Sequence, residues 1–240
     1  MSSSIHPKRP PFDTEGIYVV IPAFCAERTV GQLIEELQSI LPKRRILLVD
    51  DGSPDATGSV GKRRGVTVLS HPANRGKGAA LATGVQYALD REDCRAVITV
   101  DADLQHEVGC LMKFIRLFNA GTADVIVGRR RRAPGVMPAI RILANSVTSF
   151  LLSIRSGVSI RDSQCGFRLI SPPVAASIPM TYSGAQAETE LLLRAALRGS
   201  RIAFVPIPTL YNGEPSYIHP IQDIADFLKI YVTSFFDFLR

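Results

Sequence analysis

The chain has 240 residues, which is enough for one enzyme domain and too few for a multidomain assembly. Hydrophobic residues make up 46% and charged residues 21% of it, which excludes a disordered, collagen-like or disulfide-scaffold protein. The net charge of +6 favours an anionic partner such as a nucleotide, a lipid phosphate or a membrane surface.

The cysteines and the N-terminus indicate a cytoplasmic protein. The four cysteines form no C-x-x-C pair, so we expect reduced thiols. The first residues are basic and interrupted by proline, without the apolar run of a secretory signal. We expect residues 1–15 to be a loose tail and residues 16–240 to form a single domain. No run of about 18 consecutive apolar residues is present, so the sequence predicts no membrane span.

Short β-branched segments alternate with segments of helical spacing, which predicts an α/β fold with a mostly parallel sheet and helices on both faces. The predicted strands are nearly continuous apolar runs, typical of strands covered on both faces. They are Ile17–Ile21, Ile46–Val49, Val66–Ser70, Ala96–Val100, Val125–Val127 and Ile202–Pro206. Apolar periodicity predicts helices at Thr29–Leu41, Gly76–Leu89 and Gly109–Asn119.

The residues that follow these strands are the first candidates for a site, because ligands of such sheets bind where parallel strands end. In Asp101-Ala102-Asp103 both carboxylates lie on one side of the chain, since side chains alternate along a strand. With Gln105 they offer three oxygen ligands suited to Mg²⁺ or Mn²⁺. Taken alone, D-x-D is more often a solvated strand end. A second acidic strand end at Asp50 and a nearby arginine cluster favour the metal.

Two cationic segments accompany the acidic ones. Asn74 to Gly78 opens an alanine-rich helix, where backbone N–H groups favour anions, so Arg75 or Lys77 could contact a phosphate or a ribose; a plain helix start is the equal alternative. Arg129 to Arg132 follow the fifth predicted strand. In isolation such a run is most often a solvated surface, but at a strand end it suits a phosphate clamp.

Taken together, seven short segments resemble a family 2 glycosyltransferase of GT-A fold, closest to the polyprenyl-phosphate branch typified by dolichol-phosphate mannose synthase. Each segment is weak alone, and their order and spacing together are specific. They are I-P-A-F-C-A-E (21–27), V-D-D-G-S-P-D (49–55), N-R-G-K-G-A-A (74–80), D-A-D-L-Q-H (101–106), G-R-R (128–130), D-S-Q-C-G-F-R (162–168) and E-T-E-L-L (188–192).

The resemblance implies a metal-dependent, inverting transfer of one sugar from a nucleotide diphosphate donor, GDP-mannose or a UDP-sugar, to dolichyl or undecaprenyl phosphate. The residues assigned to the donor are Pro22, Phe24, Glu27, Asp50, Lys77, Asp101, Ala102 and Asp103. Those assigned to Mg²⁺ or Mn²⁺ are Asp101, Asp103 and Gln105, and those assigned to phosphate or acceptor are Arg129, Arg130, Arg168 and Ser216. Glu27 stands one place after the family's usual acidic position, and the segment from Tyr211 to Tyr217 lacks the arginine and lysine common there.

The acceptor decides whether a general base is needed. A lipid phosphate is already ionised at neutral pH and needs none, whereas a sugar hydroxyl does. Glu190 and Asp162 are the candidate bases, although a capping carboxylate at a helix start is the commoner explanation. The catalytic candidates are thus Asp103, Arg130, Glu190 and Asp162.

Other classes fit less well. The chain has no tryptophan, which disfavours processive polysaccharide synthases with their Q-x-x-R-W element. A nucleotidyltransferase would have a glycine- and arginine-rich loop in place of Pro22 to Glu27. A transferase acting on a sugar hydroxyl and a non-catalytic nucleotide- or lipid-binding protein stay open, although the latter would be expected to lack the metal aspartates.

Two segments near 137–154 and 221–239 are amphipathic. For the first we favour a helix lying on anionic lipid headgroups over core packing, and for the second packing or self-association. We therefore expect peripheral contact with the inner face of a membrane, no nucleic-acid partner, and an oligomeric state that the sequence leaves open, homo-oligomers included.

Overall fold

The computed structural model of the protein describes residues 13–131, 139–178, 180–182, 184, 186–208 and 220–236, with the backbone alone at 139–141 and 220–224. Residues 1–12 of the predicted tail lie outside this part of the chain.

The described residues contain one seven-stranded sheet in the order β3-β2-β1-β4-β6-β5-β7. Its strands are β1 (Ile17–Ala23), β2 (Ile46–Asp50), β3 (Thr67–Ser70), β4 (Ala96–Thr99), β5 (Val125–Arg130), β6 (Arg168–Ile170) and β7 (Ile202–Ile207). All six predicted strands are confirmed. β6 is the addition, and it pairs antiparallel with both β4 and β5, whereas the other pairs are parallel. The expectation of a mostly parallel sheet is thus confirmed.

Eight α-helices accompany this sheet in the described part of the chain. They are α1 (Val30–Gln38), α2 (Thr57–Arg64), α3 (Lys77–Leu89), α4 (Leu111–Asn119), α5 (Ala139–Ser156), α6 (Pro172–Ser177), α7 (Gln186–Leu197) and α8 (Pro220–Thr233). Short 3-10 helices lie at Lys43–Arg45 and Val108–Cys110. The three helices predicted from periodicity are present with shorter bounds. α2 escaped prediction because T-G-S-V-G-K-R-R has one apolar residue and two glycines.

The centre of the sheet is the core of the molecule. Every residue of β1, β2 and β4 is buried, as expected for strands covered on both faces. α1 buries Leu33, Ile34 and Leu37 at helical spacing. Since β5 runs antiparallel to β6, and β6 antiparallel to β4, β5 points the same way as β4. The carboxyl ends of β1, β2, β4 and β5 therefore share one edge.

Candidate active site

The acidic segment Asp101 to His106 leaves β4 at this edge. Leu104 has a φ of 59°, in the left-handed region, and the turn lets the Gln105 amide donate a 3.0 Å hydrogen bond to Asp103 Oδ1. Ala102 is buried below the edge, and Gln105 is half-buried. The turn thus holds Asp101, Asp103 and Gln105 in one short loop, as the sequence analysis expected of a ligand set.

Asp101 is in contact with three parts of the chain. Lys77 Nζ lies 2.6 Å from its Oδ1, and His106 Nε2 lies 3.4 Å from its Oδ2. A Cβ on Gly166 would come within 2.4 Å of Oδ2, so this approach requires glycine. Burial by itself would raise the pKa of Asp101, but the charge of Lys77 and the hydrogen bond from His106 outweigh it and lower that pKa.

Asp103 is in the opposite electrostatic position. Burial and the negative charge of Asp101 raise its pKa above the ordinary value. Two crowded carboxylates, one of them poorly compensated, fit a divalent cation, and an amide oxygen from Gln105 fits the same hard ions. Among the described residues, no group of three or more His, Cys, Asp or Glu side chains has metal-binding geometry. Asp101, Asp103 and Gln105 offer three oxygen-bearing side chains, so an ion held there would take its other ligands from water and substrate.

Lys77 joins this acidic segment to α7. It is the first residue of α3, and its Nζ lies 3.1 Å from Glu188 Oε2 in the first turn of α7. Burial by itself would lower the pKa of Lys77, but the charges of Asp101 and Glu188 outweigh it and raise that pKa. From the sequence, Lys77 was expected to contact the donor, and no role was expected for Glu188. The only signal for Glu188 was its place in E-T-E-L-L.

The loop before Lys77 is held by a buried carboxylate. Asp51 accepts hydrogen bonds from the backbone amides of Arg75, at 3.0 Å, and Gly76, at 2.8 Å. Its Oδ1 also lies 2.6 Å from His71 Nδ1, in a pair with both side chains buried. Asp51 thus orders the segment that aims Lys77 at Asp101, and His71 is a contributor that the sequence analysis missed.

Arg130 is fixed by Asp162. Its Nε and Nη2 donate to the two carboxylate oxygens at 3.0 and 2.9 Å, and Asn145 Nδ2 donates to Asp162 Oδ1 at 2.8 Å. Burial by itself would raise the pKa of the fully buried Asp162, but Arg130 outweighs it and lowers that pKa. Burial by itself would lower the pKa of Arg130, but the hydrogen bond and charge of Asp162 outweigh it and raise that pKa. The negative charge of Asp101 also raises it. Arg130 ends β5 at the edge of the sheet where Asp101 follows β4, and Asp162 orients it.

Glu190, a candidate base, and Arg168, assigned to phosphate or acceptor, both have partners inside the fold. Glu190 is 1% exposed, accepts bonds from the Thr181 amide and hydroxyl, and pairs with Arg194 at 3.2 Å. It lines a cavity of about 490 Å³ between α7 and α8 that includes none of the predicted donor or metal residues.

Arg168 is 1% exposed and donates to the carbonyls of Cys165, Ser163 and Glu188. This placement corrects the prediction of a phosphate contact, because the guanidinium of Arg168 donates its hydrogen bonds to backbone carbonyls inside the fold.

The loops after β1 and β2, assigned to the donor, are bonded to each other. Glu27 Oε2 accepts the Ala56 amide at 3.0 Å, and Asp50 Oδ1 accepts the Ser53 amide at 3.0 Å. Phe24 is 41% exposed at the edge, and Pro22 is buried in β1. Glu27 is therefore engaged with its neighbour loop, whereas the ring of Phe24 is open to a ligand.

Two further assignments concern phosphate. Arg129 is half-buried and alternates with Arg130 along β5, so it lies on the other face of the sheet. It is therefore separated from the Asp162 contact. Ser216 lies outside the described residues, as does Arg132.

The sheet is mostly parallel, and an Asp-x-Asp segment, a lysine and an arginine paired with an aspartate lie at one of its edges. This is the architecture of a GT-A glycosyltransferase. The sequence profile described as "Glycosyl transferase family 2" matches residues 18–175. The chain therefore belongs to glycosyl transferase family 2 and is a glycosyltransferase.

Individual proteins are similar to this chain in sequence or in fold. An uncharacterised protein of Methanocaldococcus jannaschii is 32% identical over 201 residues, 82% of each chain. A dolichyl-phosphate hexose transferase of Haloferax volcanii is 29% identical over 195 residues, 81% of this chain and 82% of that one. Glucosyl-3-phosphoglycerate synthase of Mycobacterium tuberculosis, solved with Mn²⁺, uridine diphosphate and phosphoglyceric acid, has a TM-score of 0.71 at 18% identity and covers 93% of this chain and 84% of its own. The resemblance to polyprenyl-phosphate transferases and the GT-A fold are confirmed.

Proposed function

We propose that this glycosyltransferase moves one sugar, with inversion, from GDP-mannose or a UDP-sugar to a polyprenyl phosphate such as dolichyl or undecaprenyl phosphate. It acts with Mg²⁺ or Mn²⁺ at the cytoplasmic, inner face of a membrane. The observation that carries the proposal is the placement of Arg130, which Asp162 holds at the edge of the sheet where Asp101 follows β4. The name of the Haloferax relative supports the acceptor class.

On the donor side, Asp101, Asp103 and Gln105 would hold the ion. An ion bound there offsets the negative charge that develops on the leaving diphosphate. The exposed ring of Phe24 offers a flat apolar surface to the base, and Lys77 presents an ammonium at the same edge. The Mycobacterium synthase of similar fold was solved with Mn²⁺ and uridine diphosphate, which supports a divalent ion and a nucleotide donor as ligands.

On the acceptor side, the structure favours a phosphate over a hydroxyl. Both predicted bases are engaged: Asp162 by Arg130 and Asn145, and Glu190 by Thr181 and Arg194. An ionised phosphate needs no base. The guanidinium of Arg130 has five N–H donors, two of which Asp162 accepts, and its planar fork suits phosphate oxygens.

The lipid of such an acceptor requires contact with a membrane, and the chain offers an apolar surface for it. α5 exposes Leu143, Val147, Phe150 and Ile154, spaced along one helix face. α8 and the turn after it expose Leu228, Val232, Phe235 and Phe236. The two groups are linked where Arg155 Nε donates to Ser234 Oγ at 3.0 Å and its guanidinium lies 4.4 Å from the Phe235 ring. None of the helices in the described ranges is both long and apolar enough to cross a bilayer.

This outcome refines the expectation for the second amphipathic segment. Phe227 and Ile230 of α8 are buried, as packing predicts, while the opposite face is exposed. We assign both exposed faces to the membrane surface.

The test is transfer of radiolabel from a panel of GDP- and UDP-sugars to a short-chain polyprenyl phosphate. Acceptors without the phosphate, namely the matching polyprenol and a soluble sugar, are run in parallel, with Asp103→Asn as the inactive variant and the exposed Glu107→Gln as its matched control. We expect label to enter the butanol-extractable lipid only with the phosphate and only with Mg²⁺ or Mn²⁺. Transfer to the soluble sugar alone would point to a hydroxyl acceptor.

A further inference from the structure

We propose that Lys77 is a movable counter-ion: it neutralises Asp101 while no metal is bound, and turns to Glu188 when a divalent cation occupies Asp101. The inference rests on the metal dependence in the proposed function. It gives Glu188 a positioning role, exerted through Lys77.

The geometry allows the move without a change in the backbone. The ammonium lies 2.6 Å from Asp101 Oδ1 and 3.1 Å from Glu188 Oε2, so it already contacts both carboxylates. The helix starts that carry Lys77 and Glu188 are packed tightly, since a Cβ on Gly78 would come within 2.8 Å of Ala187 Cβ. Rotation of the flexible lysine side chain therefore suffices.

Glu188 has an open position for the ammonium. The residue is 7% exposed, and within the described part of the chain its Oε1 is buried and has no hydrogen-bond partner. A buried carboxylate oxygen without a donor is costly and rare in native structures. An ammonium that leaves Asp101 can donate to Oε1 as well as Oε2. The unpartnered oxygen is thus accounted for by a second state in which Glu188 holds Lys77 alone.

Charge supplies the reason to move. A divalent cation on Asp101 and an ammonium on the same carboxylate would repel each other at short range, in a site partly shielded from water. Asp101 is 24% exposed and Lys77 29% exposed, so solvent screens this repulsion only in part. Turning toward Glu188 separates the two cations and keeps the ammonium paired, at the edge where the donor diphosphate is proposed to lie.

The experiment measures Mn²⁺ affinity without any donor, by electron paramagnetic resonance of the free ion. The proteins are the wild type, Lys77→Met, Glu188→Gln and the double variant, with the exposed Glu107→Gln as a control for the loss of one nearby negative charge. We expect Lys77→Met to bind Mn²⁺ more tightly, because a competitor is removed. We expect Glu188→Gln to bind it more weakly, by roughly 3- to 30-fold, within the coupling seen between contacting groups.

The double variant decides the matter. If Lys77 mediates the effect of Glu188, then Glu188→Gln in the Lys77→Met background should change Mn²⁺ affinity no more than Glu107→Gln does. Equal effects of Glu188→Gln in both backgrounds, or Mn²⁺ binding that neither single change alters, would overturn the inference while leaving metal dependence intact. Should Lys77→Met fail to fold, Glu188→Gln alone still tests it, because an unchanged affinity rejects the role of Glu188. A wild type that binds no Mn²⁺ and turns over in excess chelator would instead remove the metal from the proposed function, and this inference with it.

Discussion

His71 and Asp51 form a buried pair whose geometry places a hydrogen on Nδ1 of the imidazole. His71 Nδ1 lies 2.6 Å from Asp51 Oδ1, and an ionised carboxylate only accepts, so Nδ1 carries the hydrogen. His71 Nε2 lies 2.9 Å from the Thr83 hydroxyl, which can donate or accept. Both ring nitrogens of His71 therefore have a partner in the fold, which holds the pair in place. Through Asp51 it holds the amides of Arg75 and Gly76, and so the approach of Lys77 to the site.

A side-chain amide can test this pair. In His71→Asn the amide nitrogen stands close to the position of Nδ1 and can donate to Asp51, whereas His71→Ala leaves that carboxylate short of a donor. We expect His71→Ala to lower the free energy of unfolding by about 1–3 kcal/mol and His71→Asn by less, because only His71→Ala takes from the buried carboxylate one of its three donors. Denaturant unfolding measures the difference. Hydrogen exchange at the Arg75 and Gly76 amides should quicken in His71→Ala, and unchanged protection there would contradict the link to the loop.

Arg130 is expected to depend on its fork and not only on its charge. Arg130→Lys keeps the charge but cannot span both oxygens of Asp162, so the remaining donors lose their orientation. We expect kcat/KM for the acceptor to fall by about 10- to 100-fold, or about 1.4–2.7 kcal/mol of transition-state stabilisation. Arg129→Lys, on the other face of β5, is the matched control and should lose little. Equal losses at both positions would indicate a diffuse basic surface.

Asp103 and Asp101 should have opposite effects on the metal-free protein. The raised pKa of Asp103 means that its charge opposes folding at neutral pH, so Asp103→Asn should raise the melting temperature in chelator. The lowered pKa of Asp101 means that its charge favours folding at neutral pH, so Asp101→Asn should lower the melting temperature in chelator. Mn²⁺ should stabilise the wild type and neither variant, and turnover should be lost in both. A stabilising response to Mn²⁺ in Asp103→Asn would place the metal elsewhere.

Asp162 supplies a pH dependence of stability. Its pKa is lowered in the folded protein, so its contribution is fully present above the unfolded value, about 4, and is lost as pH falls through the lower folded value. Asp162→Asn should therefore reduce stability at pH 7, and the difference from the wild type should shrink below about pH 4. Denaturant unfolding at pH 7, 5, 4 and 3 measures it. A difference that stays constant with pH would exclude the ionised pair with Arg130 as its source.

The sequence predicted the parts of the fold that have their own local signal. Six strands are apolar runs, and D-A-D places its two carboxylates through the alternation of a strand. β6 carried no such signal, because its three residues, Arg168 to Ile170, are ordered by pairing with β4 and β5, which lie far away in the sequence. The same holds for the partners of site residues. The pairs formed by Asp162 with Arg130, by Glu190 with Thr181 and by Glu188 with Lys77 depend on contacts between separate segments of the chain.

Membrane contact through the exposed faces of α5 and α8 can be separated from catalysis. Phe150 is 64% and Ile154 60% exposed on α5, and Phe236 is 64% exposed after α8. Replacing Phe150 and Ile154 with Ser removes apolar surface from the proposed contact. Each Å² of apolar area no longer buried weakens binding by about 25 cal/mol, and the fold should change little because both side chains are exposed. We expect binding to vesicles of anionic lipid to fall at least about tenfold. Vesicle co-sedimentation measures it, with Gln32→Ser on the exposed side of α1 as the control. Unchanged sedimentation would show that this face does not contact the lipid.

The choice of acceptor predicts how Glu190 behaves. Its carboxylate accepts the Thr181 amide and pairs with Arg194, so Glu190→Gln should lower stability and reduce kcat by less than about tenfold. If Glu190 were a general base for a hydroxyl, the same change would cost about 10²–10⁴ in kcat. With a phosphate acceptor, the rate should also rise with pH around the second ionisation of a phosphate monoester, about 6, in wild type and variant alike. Steady-state kinetics of both proteins between pH 5 and 8 tests the two statements together. A collapse of kcat in Glu190→Gln with an intact fold, accompanied by loss of the pH dependence, would assign the chemistry to a hydroxyl acceptor activated by that carboxylate.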